Sequence, residues 1–190
     1  SRPPPTYRRC AFPWRDPPHP FTQRTLPPPG CSSAVFRSPA VGALQGLIAN
    51  HVVQGRVIFP GAGYLEMARA AVGATALRGV YFLQPLAVEA IRLLIECAVS
   101  DGRFEVRSGE ADAVDSATVH CAGDVSVALA PPFAPQPAAA REATPGAIEV
   151  CSLYGALRGL GLDYGPAYRT LASAWISECV GVAALRRRSR

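Results

Sequence analysis

The period of the apolar positions changes along the chain, and each change predicts an element. Val52, Val53, Val57, Ile58 and Phe59 give residues 51–59 the character of a strand, and Pro60-Gly61 predicts its end. Over residues 62–74, Tyr64, Leu65, Met67, Ala68, Ala71 and Val72 recur at spacings of three and four, which predicts a helix. Only Glu66 and Arg69 are charged there, so this helix is expected to be mostly enclosed. Residues 79–84 are apolar and aromatic and predict a strand. Ile91, Leu93, Ile95, Cys97 and Val99 share one face of the next strand, with Arg92, Glu96 and Ser100 on the other. Asp101-Gly102 is a two-residue hairpin signal, because both positions tolerate positive φ. The return strand puts Phe104 and Val106 inward and Arg103, Glu105 and Arg107 outward. A further strand aligns Val119, Cys121, Val125, Val127 and Leu129 on one face, which leaves His120 facing outward. One enclosed helix among antiparallel strands predicts the α+β class, with a sheet wrapped around the helix.

Later in the chain the signals are sparser. Residues 150–160 predict a helix ended by Gly161, Asp163-Tyr164-Gly165-Pro166 predicts a turn, and a short helical turn is expected after Pro166. Residues 174–177 and 180–185 have the composition of two strands.

Proline marks the organisation. Residues 1–30 hold ten of the 19 prolines, which predicts an extended leader outside the core. Residues 131–147 are rich in Ala and Pro and predict a linker. The expected units are a leader (1–30), a first module (31–130), the linker (131–147) and a second module (148–190). The second module is too short to close a core easily by itself.

The net charge of +5 misleads about the folded part. Five arginines and one aspartate fall in residues 1–30, and four more arginines fall in residues 186–190, so the intervening chain is mildly acidic. That distribution argues against an organised basic face for nucleic acid. No apolar run reaches the roughly 18 residues of a membrane span. With 49% hydrophobic and 17% charged residues, the chain as a whole is not disordered. Cys10, Cys31, Cys97, Cys121, Cys151 and Cys179 lack the spacing of a zinc ribbon or a redox pair, so reduced thiols and an intracellular, cytoplasmic setting are expected, with no metal site.

Of the three histidines, His51 is placed to do chemistry. It precedes a strand that runs into Pro60-Gly61 and the enclosed helix, whose N-terminus offers unpaired N–H groups and partial positive charge to a developing oxyanion. An unperturbed imidazole titrates near pH 6.5, so close to neutrality it can act as a general base. Base and oxyanion site together would remove a proton beside a carbonyl. A strand-end His bonded to backbone remains the alternative. His120 is expected to be structural or solvent-facing and His19 to lie in the leader, while Glu66 is expected to favour the helix N-terminus electrostatically.

The string HVVQGRVIFPGAGYLEMA (51–68), with Gly four residues after His51 and Pro five further, resembles the active-site motif of polyketide synthase dehydratase domains. FPWRDPPHPF (12–21), GVYFLQPL (79–86), DGRFEVRSG (101–109), TVHCAGDV (118–125) and LYGALRGLGLDYGPAYRTL (153–171) resemble further segments of that family in order. The resemblance implies a double hotdog, each half a curved antiparallel sheet around a central helix. It implies dehydration of a β-hydroxyacyl chain held on the phosphopantetheine arm of an acyl carrier protein, without metal or diffusible cofactor. His51 would be the catalytic base, and Gly55, Pro60, Gly61, Tyr164, Gly165 and Pro166 would contribute to substrate binding. Carrier protein and neighbouring synthase domains would be partners, with a homodimer in the full synthase.

The family's catalytic Asp lies on the helix of its second half. Asp101, Asp112, Asp115, Asp124 and Asp163 do not match that position, so the second hotdog is expected to be incomplete and the chain by itself inactive. A non-catalytic dehydratase-like interaction module, a double-hotdog isomerase and a product-template domain are the alternatives.

Overall fold

The computed structural model describes residues 19–26, 33–73, 76–90, 92–110, 117–126, 142, 144, 146–178 and 180–186. In the first part, β1 (Arg24–Leu26), β2 (Ser33–Pro39), β5 (Ala76–Phe82), β6 (Leu93–Ser100), β7 (Arg103–Glu110) and β8 (Thr118–Ser126) form one antiparallel sheet in the order β1-β2-β6-β7-β8-β5. Between them lie α1 (Ala43–Ile48), the hairpin of β3 (His51–Val53) and β4 (Arg56–Val57), and α2 (Gly61–Val72). The second part contains β9 (Gly146–Ile148), α3 (Val150–Gly159), β10 (Leu162–Tyr164), a 3₁₀ turn at Pro166–Tyr168, β11 (Leu171–Ile176) and β12 (Gly181–Leu185). β12, β11 and β9 form a small sheet of their own, while β10 crosses over to pair with β3.

Helix α2 begins where Pro60 holds an extended backbone and ends at Gly73, which takes the left-handed conformation that glycine enters without a Cβ penalty. It buries Tyr64, Met67 and Ala68 against the sheet, where Ile95, Cys97, Phe104, Val106 and Cys121 meet it. Leu44 and Ile48 of α1 close the same core. Each fully buried Leu, Ile, Val or Met in this core contributes about 1.5–3 kcal/mol of burial. The β6–β7 hairpin has the expected turn, with Asp101 and Gly102 both at positive φ, and Phe104 and Val106 point inward.

Several sequence expectations are corrected. The last part of the proline-rich leader is not outside the core: Phe21 is buried against Phe59, and β1 pairs with β2. A single aromatic beside His19-Pro20 carries no periodicity that would announce this. Residues 1–18 lie outside the description. Residues 51–59 are a hairpin rather than one strand, because Gln54 and Gly55 both take positive φ and reverse the chain. The linker ends earlier than its composition implies, since β9 starts at Gly146 and pairs with β11. Asp163 and Tyr164 belong to β10 rather than to a turn; the reversal falls at Pro166–Tyr168.

His120 is buried rather than outward-facing. Val106 lies opposite Cys121 while Arg107 lies opposite Val119, so His120 is the extra residue of a β-bulge. The bulge rotates His120 inward, where Ser108 Oγ and the Gln84 carbonyl satisfy its two ring nitrogens at 2.8 and 3.2 Å. Burial pushes its pKa down.

Glu96 stands on the outer face as expected, yet it is almost fully covered. Arg37 on β2 and Arg107 on β7 lie directly opposite it on either side, and both guanidinium groups hold its carboxylate.

Candidate active site

The β3–β4 hairpin presents His51 at its open end. Ile58 donates its N–H to the His51 carbonyl at 3.1 Å, and the Ile58 carbonyl sits 2.7 Å from His51 Nδ1. A carbonyl only accepts, so Nδ1 carries a proton, and in the neutral ring it is Nε2 that holds the lone pair. The hairpin turn thus fixes the tautomer as well as the position. Gly55 serves this turn at φ 77° and is exposed, with open space where a Cβ would stand.

Pairing of β10 with β3 sets Tyr164 opposite His51. Their ring centroids are 5.5 Å apart, and the 3₁₀ turn returns Tyr168 to within 5.4 Å of the same imidazole. Gly165 makes the close approach possible. A Cβ there would lie 2.0 Å from Asn50 Oδ1, and the Gly165 N–H donates to the Asn50 carbonyl at 2.8 Å. Pro166 opens the 3₁₀ turn and is exposed.

Beside this cluster is a mainly apolar cavity of about 350 Å³. Pro60, Ala62 and Gly63 bring the first turn of α2 to its wall, with Phe21, Leu47, Tyr168 and Thr170 around it. Gly63 donates its N–H back to the Pro60 carbonyl at 2.8 Å, so what the start of α2 brings to this wall is the positive end of the helix and the Ala62 backbone. His51 is half-buried behind Tyr168 and is not itself part of the wall, whereas the sequence placed it facing the site directly. Gly61 is turned toward the Phe82 ring.

Of the substrate-binding candidates, Pro60 lines the cavity and Tyr164 touches His51, while Gly55, Gly61, Gly165 and Pro166 shape the backbone around them. Tyr168 joins the imidazole to the cavity and was missed by the sequence reading. Its signal was an aromatic two residues beyond Pro166, at the distance that a single 3₁₀ turn reverses.

The carboxylates here are engaged by arginines. Asp163 neighbours Tyr164 on β10, so the pleat turns it to the opposite face, where Arg158 binds it through two hydrogen bonds of 3.0 and 3.1 Å. Glu66 lines the cavity but lies beyond the first turn of α2. Arg69 grips both of its oxygens and His19 Nε2 is 3.1 Å away, so its carboxyl is held below its ordinary range and stays ionised. That pairing replaces the interaction expected with the helix N-terminus. Asp112 and Asp115 lie outside the described residues. No cluster of three or more metal-binding side chains is present among the described residues.

A six-stranded antiparallel sheet packed on one central helix is the hotdog arrangement. The crystal structure of the Erythromycin Dehydratase superposes with a TM-score of 0.76 and 25% identity, covering 93% of this chain and 69% of that one. The dehydratase domain from the CurK module of Curacin polyketide synthase shares the fold at a TM-score of 0.75 and 18% identity, covering 87% of this chain and 62% of that one. Residues 19–109 match the family described as "Polyketide synthase dehydratase domain". The chain belongs to this family, and it covers the N-terminal hotdog of the domain. Among curated relatives, the Spectinabilin polyketide synthase system protein NorA' of Streptomyces orinoci is 34% identical over 140 residues, 67% of this chain. Polyketide synthase PksM of Bacillus subtilis is 26% identical over 149 residues, 69% of this chain. The chain spans 4% of the length of each of these two relatives.

Proposed function

We propose that His51 is the base of a dehydratase site acting on a β-hydroxyacyl thioester, presented on the phosphopantetheine arm of an acyl carrier protein. The observation that carries the reading is the 2.7 Å contact between His51 Nδ1 and the Ile58 carbonyl, because it leaves Nε2 as an oriented base. Nε2 takes the α-proton, and the electrons of that C–H bond form the new double bond. The β-hydroxyl leaves with a second proton, as water. The positive end of α2 favours the negative charge that develops on the thioester oxygen. The apolar cavity suits the acyl chain, and Tyr164 and Tyr168 limit how the substrate reaches the imidazole. The second proton comes from an acid that, by the resemblance, stands on the helix of the second hotdog; the ionised Glu66 and the outward Asp163 suit that role poorly. Proton transfer and C–O cleavage involve no redox change, so the mechanism asks for no cofactor beyond the carrier's arm. Neighbouring synthase domains are the expected setting.

Incubation with a 3-hydroxyacyl pantetheine thioester in D₂O tests the base. Mass spectrometry is expected to show deuterium at the α-carbon, an exchange that needs the base but not the second proton donor, and His51→Ala is expected to lower that rate about 10²–10⁴-fold. An unchanged exchange rate in His51→Ala, or no exchange with the unmodified chain, overturns the assignment.

A further inference from the structure

A second cavity, of about 380 Å³, lies between α3 and β11, on the other side of the segment that carries Thr170. Thr170 lines the apolar cavity, whereas its neighbours Arg169 and Leu171 line this one. Arg158, Arg169 and Arg186 converge on it, and Val150, Cys151, Tyr154 and Gly155 complete the wall. Among the described residues, no aspartate or glutamate lines it.

The charges do not cancel. Asp163 takes two hydrogen bonds from Arg158 and lies 3.9 Å from Arg169 Nη2. Arg169 is otherwise held by the Tyr164 carbonyl at 2.7 Å and by the Tyr154 ring at 5.8 Å. Arg186 is paired with no carboxylate among the described residues. Three guanidinium groups therefore face one carboxylate. The nearby Glu149 is committed to the start of α3, where its oxygens accept from the Cys151 and Ser152 N–H groups. The Tyr154 hydroxyl accepts from the Leu171 N–H at 3.2 Å, which leaves its own proton free to donate. Forked N–H donors with a hydroxyl beside them match the oxygens of a phosphoryl group. The volume exceeds that of a bare phosphate and falls within the range of small-molecule sites.

We propose that this cavity binds a phosphoryl group, as a phosphate ester of a small organic molecule or as free phosphate, through Arg169, Arg186, Arg158 and Tyr154. The site stands on its own geometry and does not depend on dehydration by His51.

Calorimetric titration of the whole chain at low ionic strength tests it, with phosphopantetheine, pantetheine and inorganic phosphate as probes. Phosphopantetheine is expected to bind saturably and pantetheine far more weakly. Arg186→Gln, at an exposed position, and Arg169→Gln are each expected to weaken binding about tenfold, the worth of one charge-assisted hydrogen bond. Circular dichroism checks their fold, and Arg158→Gln replaces Arg169→Gln if the latter unfolds. His51→Ala is expected to bind like the unmodified chain. Inorganic phosphate binding as tightly as the ester supports the site with the free ion as its ligand; weaker binding supports it with the ester. Equal affinity for pantetheine and phosphopantetheine, no saturable binding of either phosphate probe, or unchanged binding in Arg186→Gln and its companion variant overturns the proposal.

Discussion

Helices α2 and α3 differ by only two residues in length, and both carry mixed apolar and polar positions, yet their surroundings are opposite. α2 buries Gly63, Tyr64, Met67 and Ala68 under a six-stranded sheet. α3 buries no residue, and the three-stranded sheet beside it contributes a single buried hydrophobic, Ala174. The first helix is held by what covers it. The second is held by local means: Glu149 caps its N-terminus, with a carboxyl lowered to about 2 by the Ser152 and Cys151 hydrogen bonds, and Arg158 pairs with Asp163 at its other end. Capping and local pairs help a ten-residue helix to form, but only enclosure adds several kcal/mol of burial.

The sharpest test of that contrast is truncation in each helix. Met67→Ala is expected to destabilise by about 2–5 kcal/mol, because a fully buried side chain leaves a cavity. Leu160→Ala, at the exposed end of α3, is expected to change stability by no more than about 0.5 kcal/mol. Urea denaturation of both variants measures the difference, and comparable losses would break the comparison.

Ion pairs should divide in the same way. Glu96→Gln leaves Arg37 and Arg107 facing a neutral amide in a nearly dry site, and is expected to cost about 2–3 kcal/mol in denaturant midpoints. Asp163→Asn, in an exposed pair, is expected to cost less than about 1 kcal/mol.

A smaller effect should appear in the pH dependence. Burial lowers the pKa of His120 in the folded protein, so the unfolded chain binds this proton more readily. Its contribution is fully present above the ordinary imidazole range and is lost as pH falls through that range toward the lowered value. Thermal unfolding between pH 8 and pH 5 is expected to show this loss, and His120→Gln is expected to reduce it. An identical pH profile in the variant would count against the buried, neutral imidazole.

Thiol reactivity marks the same boundary without perturbing stability. Burial raises the Cys97 thiol to about 12 and Cys121 to about 11, whereas Cys151 is exposed on α3. Brief iodoacetamide treatment of the native protein, followed by peptide mapping, is expected to label Cys151 and spare Cys97 and Cys121.

What the sequence determined by itself was local. The three-and-four spacing of Tyr64, Met67 and Ala68 announced α2, and Asp101-Gly102 announced its hairpin, because both signals lie within a few residues. The motif from His51 to Pro60 pointed to the histidine for the same reason. The tertiary structure alone decided which groups meet it. Tyr164 and Tyr168 reach the imidazole only because β10 pairs with β3 across more than one hundred residues of chain, and Gly165 lets Asn50 come close. His120 changed from an outward to a buried residue through one bulge, and Phe21 joined the core from a proline-rich stretch with no pattern of its own. Register, bulges and crossing strands are set by which distant surfaces exclude water together, and that is a property of the packed chain rather than of any short segment of it.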